Sequence, residues 1–368
     1  MKGLFIKVIL NMICLKKRLK NITLLLVLVM VLYFFGAFHH FFERDFYNDF
    51  HYPYDGDIQP FIEQMKNNVT PEILPINQYS FKYYKTCTHK CTNIKKLRLV
   101  YLVKSAPENF DRRIAIRSSW GFERRFSDVE IRTVFLIGEK KSKVLQQSVD
   151  EEYKRYLDVV QANFTDSYYN NTYKTMMGIQ WAVRYCPNSN FYMYVDDDYY
   201  VSTKNVLRFL RHPTNYPQYI KDPFAAANKL LRRRRFKSFE DSTRLYAGYR
   251  FHSAPLRHFS SKWFVSLSEY PYHMWPPYIT AGAYILSSSA LIDMFYASFY
   301  TKHFRFDDVY LGLLAFKTKI DPLHCEEFYF YKKTYYRFDY NFTIATHGYS
   351  DPKELLRTWT EQKSLGNA

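Results

Sequence analysis

Residues 191–201 read FYMYVDDDYYV, an aromatic and apolar run that is interrupted by three aspartates. The first five residues predict a buried strand. In an open α/β sheet the ligand crevice lies at the carboxyl ends of strands, where Asp196, Asp197 and Asp198 would fall. Three adjacent carboxylates repel one another unless a cation lies among them, and oxygen ligands favour Mg²⁺ or Mn²⁺. The alternative is an acidic turn that caps a helix, but apolar residues on both sides favour the metal site.

The surrounding sequence alternates between predicted strands and predicted helices. Strands are expected at residues 97–103 and 134–137, before the strand that begins at Phe191. Helices are expected at residues 112–120, 143–156 and 172–185. This alternation predicts an α/β fold with a mostly parallel central sheet.

A second acidic pair, Asp307 and Asp308, precedes an apolar helical run. Acids at a helix start often only complement the helix dipole. Beside a metal-bound diphosphate, however, a carboxylate could remove a proton from an attacking hydroxyl. The pair is therefore a candidate site for a catalytic base.

Residues 22–38 form an uncharged run that follows a basic cluster at Lys16, Lys17, Arg18 and Lys20. This pattern predicts a transmembrane signal anchor, with a cleaved signal peptide as the weaker alternative. We expect a cytoplasmic tail at 1–21, the anchor at 22–38, a lumenal stem at 39–95, a catalytic domain at 96–360 and a tail at 361–368. The short span suits a thin bilayer, so the prediction is a single-pass type II protein of the Golgi membrane with a lumenal catalytic domain.

Two further features favour a lumenal location for the main body of the chain. N-glycosylation sequons begin at Asn68, Asn163, Asn170 and Asn341. Four cysteines follow the anchor and suggest two disulfides, whose pairing the sequence leaves open: Cys87, Cys91, Cys186 and Cys325. A zinc site at Cys87, His89 and Cys91 is a weak alternative because no second ligand pair follows.

Composition excludes several classes of protein. Hydrophobic residues make up 47% and aromatic residues 20%, which excludes wholesale disorder. The sequence has no GxG, HExxH or GxSxG, which removes dinucleotide-binding, zincin and α/β-hydrolase interpretations. The net charge is +17 and the densest basic run is Arg232–Arg235. The anchor argues against a nucleic-acid partner, so this run is a solvated loop or a surface that attracts acidic glycans or membranes.

Seven ordered motifs, between about residue 97 and residue 360, resemble the inverting β-1,3-glycosyltransferases of glycosyltransferase family 31. They are Arg113–Gly121, Phe164–Thr175, Asp196–Asp198, Lys262–Trp263, Trp275–Tyr284, Asp307–Val309 and His347–Trp359. Three residues depart from the family pattern: Asp307 replaces Glu, Trp275 replaces Tyr, and Ala281 replaces a common Gly.

The resemblance implies a GT-A fold, a UDP-sugar donor and a glycan acceptor, with galactose the favoured sugar and β-1,3 the linkage. It implies Asp308 as the catalytic base and Mn²⁺ as the cofactor, with Mg²⁺ as the alternative. The implied metal ligands are Asp196, Asp198 and His347. The implied donor-binding residues are Arg113, Arg117, Asp166, Lys174, Asp196 and Asp197. N-acetylhexosaminyl transfer, hydrolysis of the UDP-sugar, a non-catalytic glycan-binding role and a homodimer remain open.

Overall fold

The computed structural model describes residues 2–51, 56–92, 94, 96–223 and 244–368, with side chains from residue 12 onward. The basic run Arg232–Arg235 lies outside the described residues. The chain divides into two compact units. One comprises Met1–Phe50 and His252–Trp275, and the other comprises His51–Phe251 and Pro276–Ala368.

The larger unit is built on a mixed sheet. The strands of the described residues are β1 Tyr83–Lys85, β2 Leu97–Lys104, β3 Ile131–Glu139, β4 Val159–Thr165, β5 Ser189–Asp196, β6 Tyr199–Val201, β7 Tyr246–Phe251, β8 Tyr278–Ser287, β9 Leu323–His324, β10 Phe328–Tyr329 and β11 Ala345–His347. Eight of them form one sheet in the order β1-β4-β3-β2-β5-β8-β7-β9. The centre, β4-β3-β2-β5, is parallel, whereas β1 and β8 join it antiparallel. The predicted α/β class and mostly parallel sheet are confirmed.

Helices cover both faces of this sheet. Those of the described residues are α1 Lys2–Phe34, α2 Phe46–Asp49, α3 Gln59–Lys66, α4 Phe110–Arg117, α5 Lys143–Tyr156, α6 Asn171–Tyr185, α7 Thr203–Arg211, α8 Gln218–Lys221, α9 Ser288–Ala297, α10 Asp307–Lys317 and α11 Pro352–Ser364. Leu99 and Tyr101 share one core with Ile116 of α4. On the other face, a Cβ at Gly178 of α6 would lie 2.5 Å from a methyl group of Leu136. The strands are therefore buried on both sides, which explains why their sequences read as continuous apolar runs.

The sheet begins earlier in the chain than residue 96. Strand β1 comes from the region that we predicted as stem, and it pairs with β4. Just after it, Cys91 forms a disulfide with Cys186 at the end of α6. The expected second disulfide is absent, since Cys87 and Cys325 are separate buried thiols and Cys87 donates to the carbonyl of Val159. The disulfide also removes Cys91 from the alternative zinc site.

The smaller unit contains α1, and the structure does not support the predicted span at residues 22–38. The helix ends at Phe34, inside the uncharged run. Within the part of the chain that the structure describes, no helix has both the length and the apolar character that crossing a bilayer requires.

The rest of the smaller unit is held by a buried ion pair. Arg257 Nε lies 2.8 Å from Glu43 Oε1, and the same guanidinium donates to the carbonyls of Tyr270 and Tyr272. Trp275, which replaces the family's Tyr, is buried with its ring centroid 4.0 Å from that of Tyr270. This tryptophan therefore contributes to the packing of the smaller unit.

Candidate active site

The aspartate triplet lies where the sequence predicted it, at the carboxyl end of a parallel strand. Strand β5 ends at Asp196, and its neighbour β2 ends at Lys104 in register with it. Both side chains therefore lie at the edge of the sheet where α/β proteins bind ligands.

Asp197, the middle residue of the triplet, is held by protein groups. It is buried and accepts hydrogen bonds from Ser105 Oγ at 2.6 Å, Asn109 Nδ2 at 2.9 Å and a guanidinium nitrogen of Arg112 at 2.8 Å. These bonds tie the triplet to the segment that links β2 to α4.

Asp198 lies beside His347. Strands β6 and β11 pair antiparallel with His347 opposite Tyr199, which brings His347 Nε2 to 3.3 Å from Asp198 Oδ2. Burial works to raise the pKa of Asp198, but the hydrogen bond and charge of His347 outweigh it and lower that pKa. The same hydrogen bond raises the pKa of His347. The second oxygen, Asp198 Oδ1, is buried and has no hydrogen-bond partner among the described residues.

A glycine makes room for the aromatic residue behind this pair. The Tyr199 ring stacks edge-on against His347, with centroids 5.3 Å apart. A Cβ at Gly282 would overlap the hydroxyl of Tyr199. Gly282, which belongs to one of the seven motifs, is therefore needed for close packing beside the Asp198–His347 pair.

Lys104 joins the triplet to the second acidic pair. Its ammonium nitrogen lies 3.0 Å from Asp196 Oδ1 and 3.0 Å from Asp307 Oδ2. Burial works against the charged ammonium, but the two carboxylates outweigh burial and raise the pKa of Lys104. Burial and the charges of Asp198 and Asp307 raise the pKa of Asp196 to about 6, although Lys104 opposes this. The structure thus brings the two acidic motifs into one site.

Asp307 and Asp308 begin α10 and have different environments. Asp307 is buried and accepts hydrogen bonds from Lys104 and from Thr175 Oγ1, the latter at 2.9 Å. Asp308 is half-buried, and Oδ1 accepts from the backbone N–H of Val309 at 2.8 Å. Burial, followed by the charge of Asp307, raises the pKa of Asp308 to about 7. A carboxyl group with that pKa is suited to accept a proton near neutral pH.

The two arginines that we expected near the nucleotide lie in an internal network. Arg113 is fully buried and forms a bidentate pair with Glu152, at 2.9 and 2.7 Å. Arg117 binds Asp158 through two nitrogens and also reaches Glu152. Arg113 also donates to Ser105 Oγ, which in turn holds Asp197. In this structure Arg113 therefore reaches the triplet only through other side chains.

Asp166 and Lys174 form a buried ion pair next to this network. Lys174 Nζ lies 2.9 Å from Asp166 Oδ1 and donates to the carbonyl of Ser105 at 2.6 Å. Asp166 Oδ2 accepts from the backbone N–H of Gly138 at 2.7 Å. The pair connects the ends of β2, β3 and β4 at the edge that carries the triplet.

Two side chains of the site are suited to bind a divalent cation. Among the described residues, no group of three or more His, Cys, Asp or Glu side chains is arranged to hold a metal ion. Asp198 and His347 nevertheless offer an oxygen and an imidazole nitrogen, and Asp198 Oδ1 is unpaired. Asp196, the third predicted ligand, is occupied by Lys104. A cation here would take its other ligands from substrate oxygens or water, as Mg²⁺ and Mn²⁺ do.

Several residues of the site do not stand out in the sequence. They are Lys104, Ser105, Asn109, Arg112 and Thr175. One signal was available: Lys104 is the charged residue that directly follows the apolar run of β2, at the same sheet edge as the triplet. The other four are identified as site residues only by their hydrogen bonds to Asp197 and Asp307 in the structure.

Comparison with known proteins identifies the family. The family model described as Galactosyltransferase matches residues 111–326. Beta-1,3-galactosyltransferase brn of Drosophila melanogaster is 39% identical over 96% of this chain and 98% of its own length. Beta-1,3-galactosyltransferase 1 of Homo sapiens is 32% identical over 79% of this chain and 81% of its own.

Among solved structures, a glycosyltransferase involved in the glycosylation of the major capsid of PBCV-1 is similar at 13% identity and a TM-score of 0.34. That similarity covers 71% of this chain and 98% of that chain, and it is too weak to support an argument. The family model covers more than half of the chain, and the relatives are more than 30% identical to it over most of their length. The chain belongs to the galactosyltransferase family.

Proposed function

We propose that this protein is an inverting galactosyltransferase that transfers galactose from UDP-galactose to a glycan acceptor in β-1,3 linkage. The observation that carries this proposal is the Lys104 bridge, because it joins the triplet that would face the donor to the helix start that carries Asp308. The names of the relatives supply the sugar and the linkage. A GT-A type of fold agrees with the mixed, mostly parallel sheet and with acidic residues at its carboxyl edge.

In the proposed reaction Asp308 acts as the general base. Its carboxylate takes the proton of the acceptor hydroxyl while the hydroxyl oxygen attacks the anomeric carbon of galactose. The bond between that carbon and the diphosphate oxygen breaks, and its electron pair leaves with UDP. A single displacement inverts the configuration, and no covalent enzyme intermediate forms.

Asp198 and His347 would hold Mn²⁺, with Mg²⁺ as the alternative. One imidazole among oxygen ligands favours Mn²⁺. Bound there, the ion would supply Lewis-acid stabilisation to the departing diphosphate. Asp196 adds negative charge nearby while it keeps its hydrogen bond to Lys104.

The remaining residues predicted to bind the donor would act indirectly, by holding α4 and the segment after β2 in place. Arg113 and Arg117 orient α4 through Glu152 and Asp158. The Lys174–Asp166 pair and Asp197 both bind the segment after β2. We propose that these contacts hold the segment that lies closest to the triplet.

We also propose that the protein works in the Golgi lumen. The disulfide between Cys91 and Cys186 supports an oxidising compartment. Asn163 heads a sequon and is exposed. N-glycosidase treatment should lower the apparent mass of the protein, and the decrease should be smaller by one glycan in Asn163→Gln. That result would support this location. Protein taken from cells with Cys91 and Cys186 as free thiols would contradict it.

The activity can be tested with a panel of UDP-sugars and glycosides. UDP-galactose, UDP-GlcNAc and UDP-GalNAc are each offered with Mn²⁺ and several acceptors, and the product linkage is read by NMR. We expect a β-1,3-galactoside from UDP-galactose, and at least ~100-fold slower product formation by Asp308→Asn at equal protein concentration. An α-linked product, free sugar alone, or transfer only from another donor would overturn the proposal.

A further inference from the structure

Lys104 is a buried ammonium group with all of its donors engaged. The side chain is 3% exposed. Its nitrogen lies 3.0 Å from each of three oxygens: Asp196 Oδ1, Asp307 Oδ2 and the carbonyl of Ala281. An ammonium group has three N–H donors, so these acceptors use its full capacity.

The three acceptors belong to three different elements. Asp196 ends β5 beside the triplet, Asp307 begins α10 next to the proposed base, and Ala281 lies within β8 between them in the chain. An arginine has a longer, planar fork that suits two parallel acceptors on one group. Three divergent acceptors on separate elements suit the rotatable donors of a lysine.

The bridge also governs the charge around Asp308. After burial, which raises the pKa of Asp308 most, two charges of the described residues act on its carboxyl: Asp307 raises the pKa and Lys104 lowers it. The hydroxyl of Tyr246 accepts a hydrogen bond from the backbone N–H of Ile279, and its pKa is raised by burial first and then by the charges of Asp308 and Asp307. Without Lys104, Asp307 would keep its hydrogen bond from Thr175 but would lose the cation that balances its charge.

We infer that Lys104 is a positioning residue for the transfer, which holds the triplet and the start of α10 in one geometry and neutralises Asp307 next to Asp308. The inference rests on the proposed function, because it takes Asp308 as the base. The spacing between donor and base then depends on a single ammonium group. A displacement of about 1 Å in such a spacing can cost ~100-fold in rate.

The charge part of the inference is tested without substrate. Asp residues are labelled at the carboxyl carbon, and the signal of Asp308 is assigned by its loss in Asp308→Asn. In metal-free protein we expect a midpoint near the pKa of about 7. Lys104→Met should raise the midpoint by at least about one pH unit, and Lys104→Met with Asp307→Asn should bring it back down, because the like charge is gone.

The positioning part is tested by kinetics. Lys104→Met should lower kcat by ~100-fold with a smaller change in KM for the donor. Lys104→Arg keeps the charge and should keep the midpoint of Asp308, but it should still lower kcat. Lys85→Met is the matched control. Lys85 lies in the edge strand β1, and its mostly buried ammonium group pairs with Asp150 of α5. This substitution should change neither kcat nor the midpoint.

Each outcome decides one part. A midpoint that stays fixed in Lys104→Met overturns the charge part, and wild-type kcat in Lys104→Arg overturns the positioning part. If Lys104→Met does not fold, Asp307→Asn takes its place, and a midpoint that fails to fall in that variant overturns the charge part. If the midpoints move as expected but the wild-type protein transfers no sugar, the proposed function fails and the charge relation stands.

Discussion

His347 Nε2 lies 3.3 Å from Asp198 Oδ2, although the two residues are far apart in the chain: Asp198 directly precedes β6 and His347 ends β11. The contact exists because β11 pairs antiparallel with β6, directly after the triplet. It leaves Asp198 Oδ1 buried and unpaired among the described residues. A buried carboxylate oxygen without a donor is unfavourable unless a cation or water satisfies it. This pair is therefore the best place to test for metal.

Asp198→Asn should weaken the binding of UDP in the presence of Mn²⁺. The substitution removes the negative charge that offsets the diphosphate and the cation, so we expect a loss of at least about tenfold in affinity. Titration calorimetry with UDP and Mn²⁺ measures it. Asp321→Asn, at a side chain that is 88% exposed, is the control and should bind as the wild type does. Wild-type binding that survives excess chelator would contradict the metal site.

Asp308→Asn should separate chemistry from binding. An amide cannot accept the proton, so kcat should fall by ~10²–10⁴-fold while the affinity for UDP stays nearly unchanged. Asp307→Asn should cost less, because Asp307 bonds to Lys104 and Thr175 and does not take the proton. Steady-state kinetics and UDP titration on both variants provide the comparison. A larger loss of kcat in Asp307→Asn, with the fold intact, would show that the base has been misassigned.

The activity should rise with pH through about 7. The pKa of Asp308 is raised to about 7, so below that pH the carboxyl is mostly protonated and cannot act as a base. As the pH rises, the ionised fraction grows and kcat should reach a plateau about one to two pH units higher. The profile of kcat at saturating Mn²⁺ and donor measures this. A flat profile between pH 5 and pH 8 would exclude a base with this pKa.

Arg113→Met should destabilise the fold more than it impairs donor binding. It leaves Glu152 buried with only part of its ion pairing, and breaking a buried pair typically costs ~3–5 kcal/mol. Thermal denaturation should show the loss, whereas the folded fraction should bind UDP with an affinity close to that of the wild type. Arg124→Met, at an exposed position, is the control. A large drop in UDP affinity without a change in stability would restore the direct nucleotide contact.

The central strands could be predicted because each is buried on both faces. Leu97 to Val103 forms an apolar run with one charged residue, so its strand and the position of the triplet at the next sheet edge followed from pattern alone. The contacts of Arg113 did not follow from pattern, because its partner Glu152 lies on a polar helix whose sequence resembles any exposed surface. Strand β11 has only three residues, too few to show a period.

The amino-terminal helix and the uncharged run of the sequence have different ends. The run from residue 22 to residue 38 is uncharged, but the helix ends at Phe34, and Gly36 adopts a positive φ of 78°. Hydropathy measures how apolar a segment is and does not locate the turn that ends the helix. Spacing likewise did not show which of the four cysteines pair: Cys91 and Cys186 form a disulfide, whereas Cys87 and Cys325 are free thiols.

The pairing of β6 with β11 also sets the order in which the site can be assembled during synthesis. A ribosome makes Asp198 together with β6, but it adds Ala345–His347 only after β7, β8 and α10 have been made. Until then a nascent chain carries the triplet without its imidazole and without the strand that pairs with β6. The proposed binding of a cation by Asp198 and His347 would therefore follow translation of nearly the whole domain, and chains that stop before residue 347 would lack half of that pair.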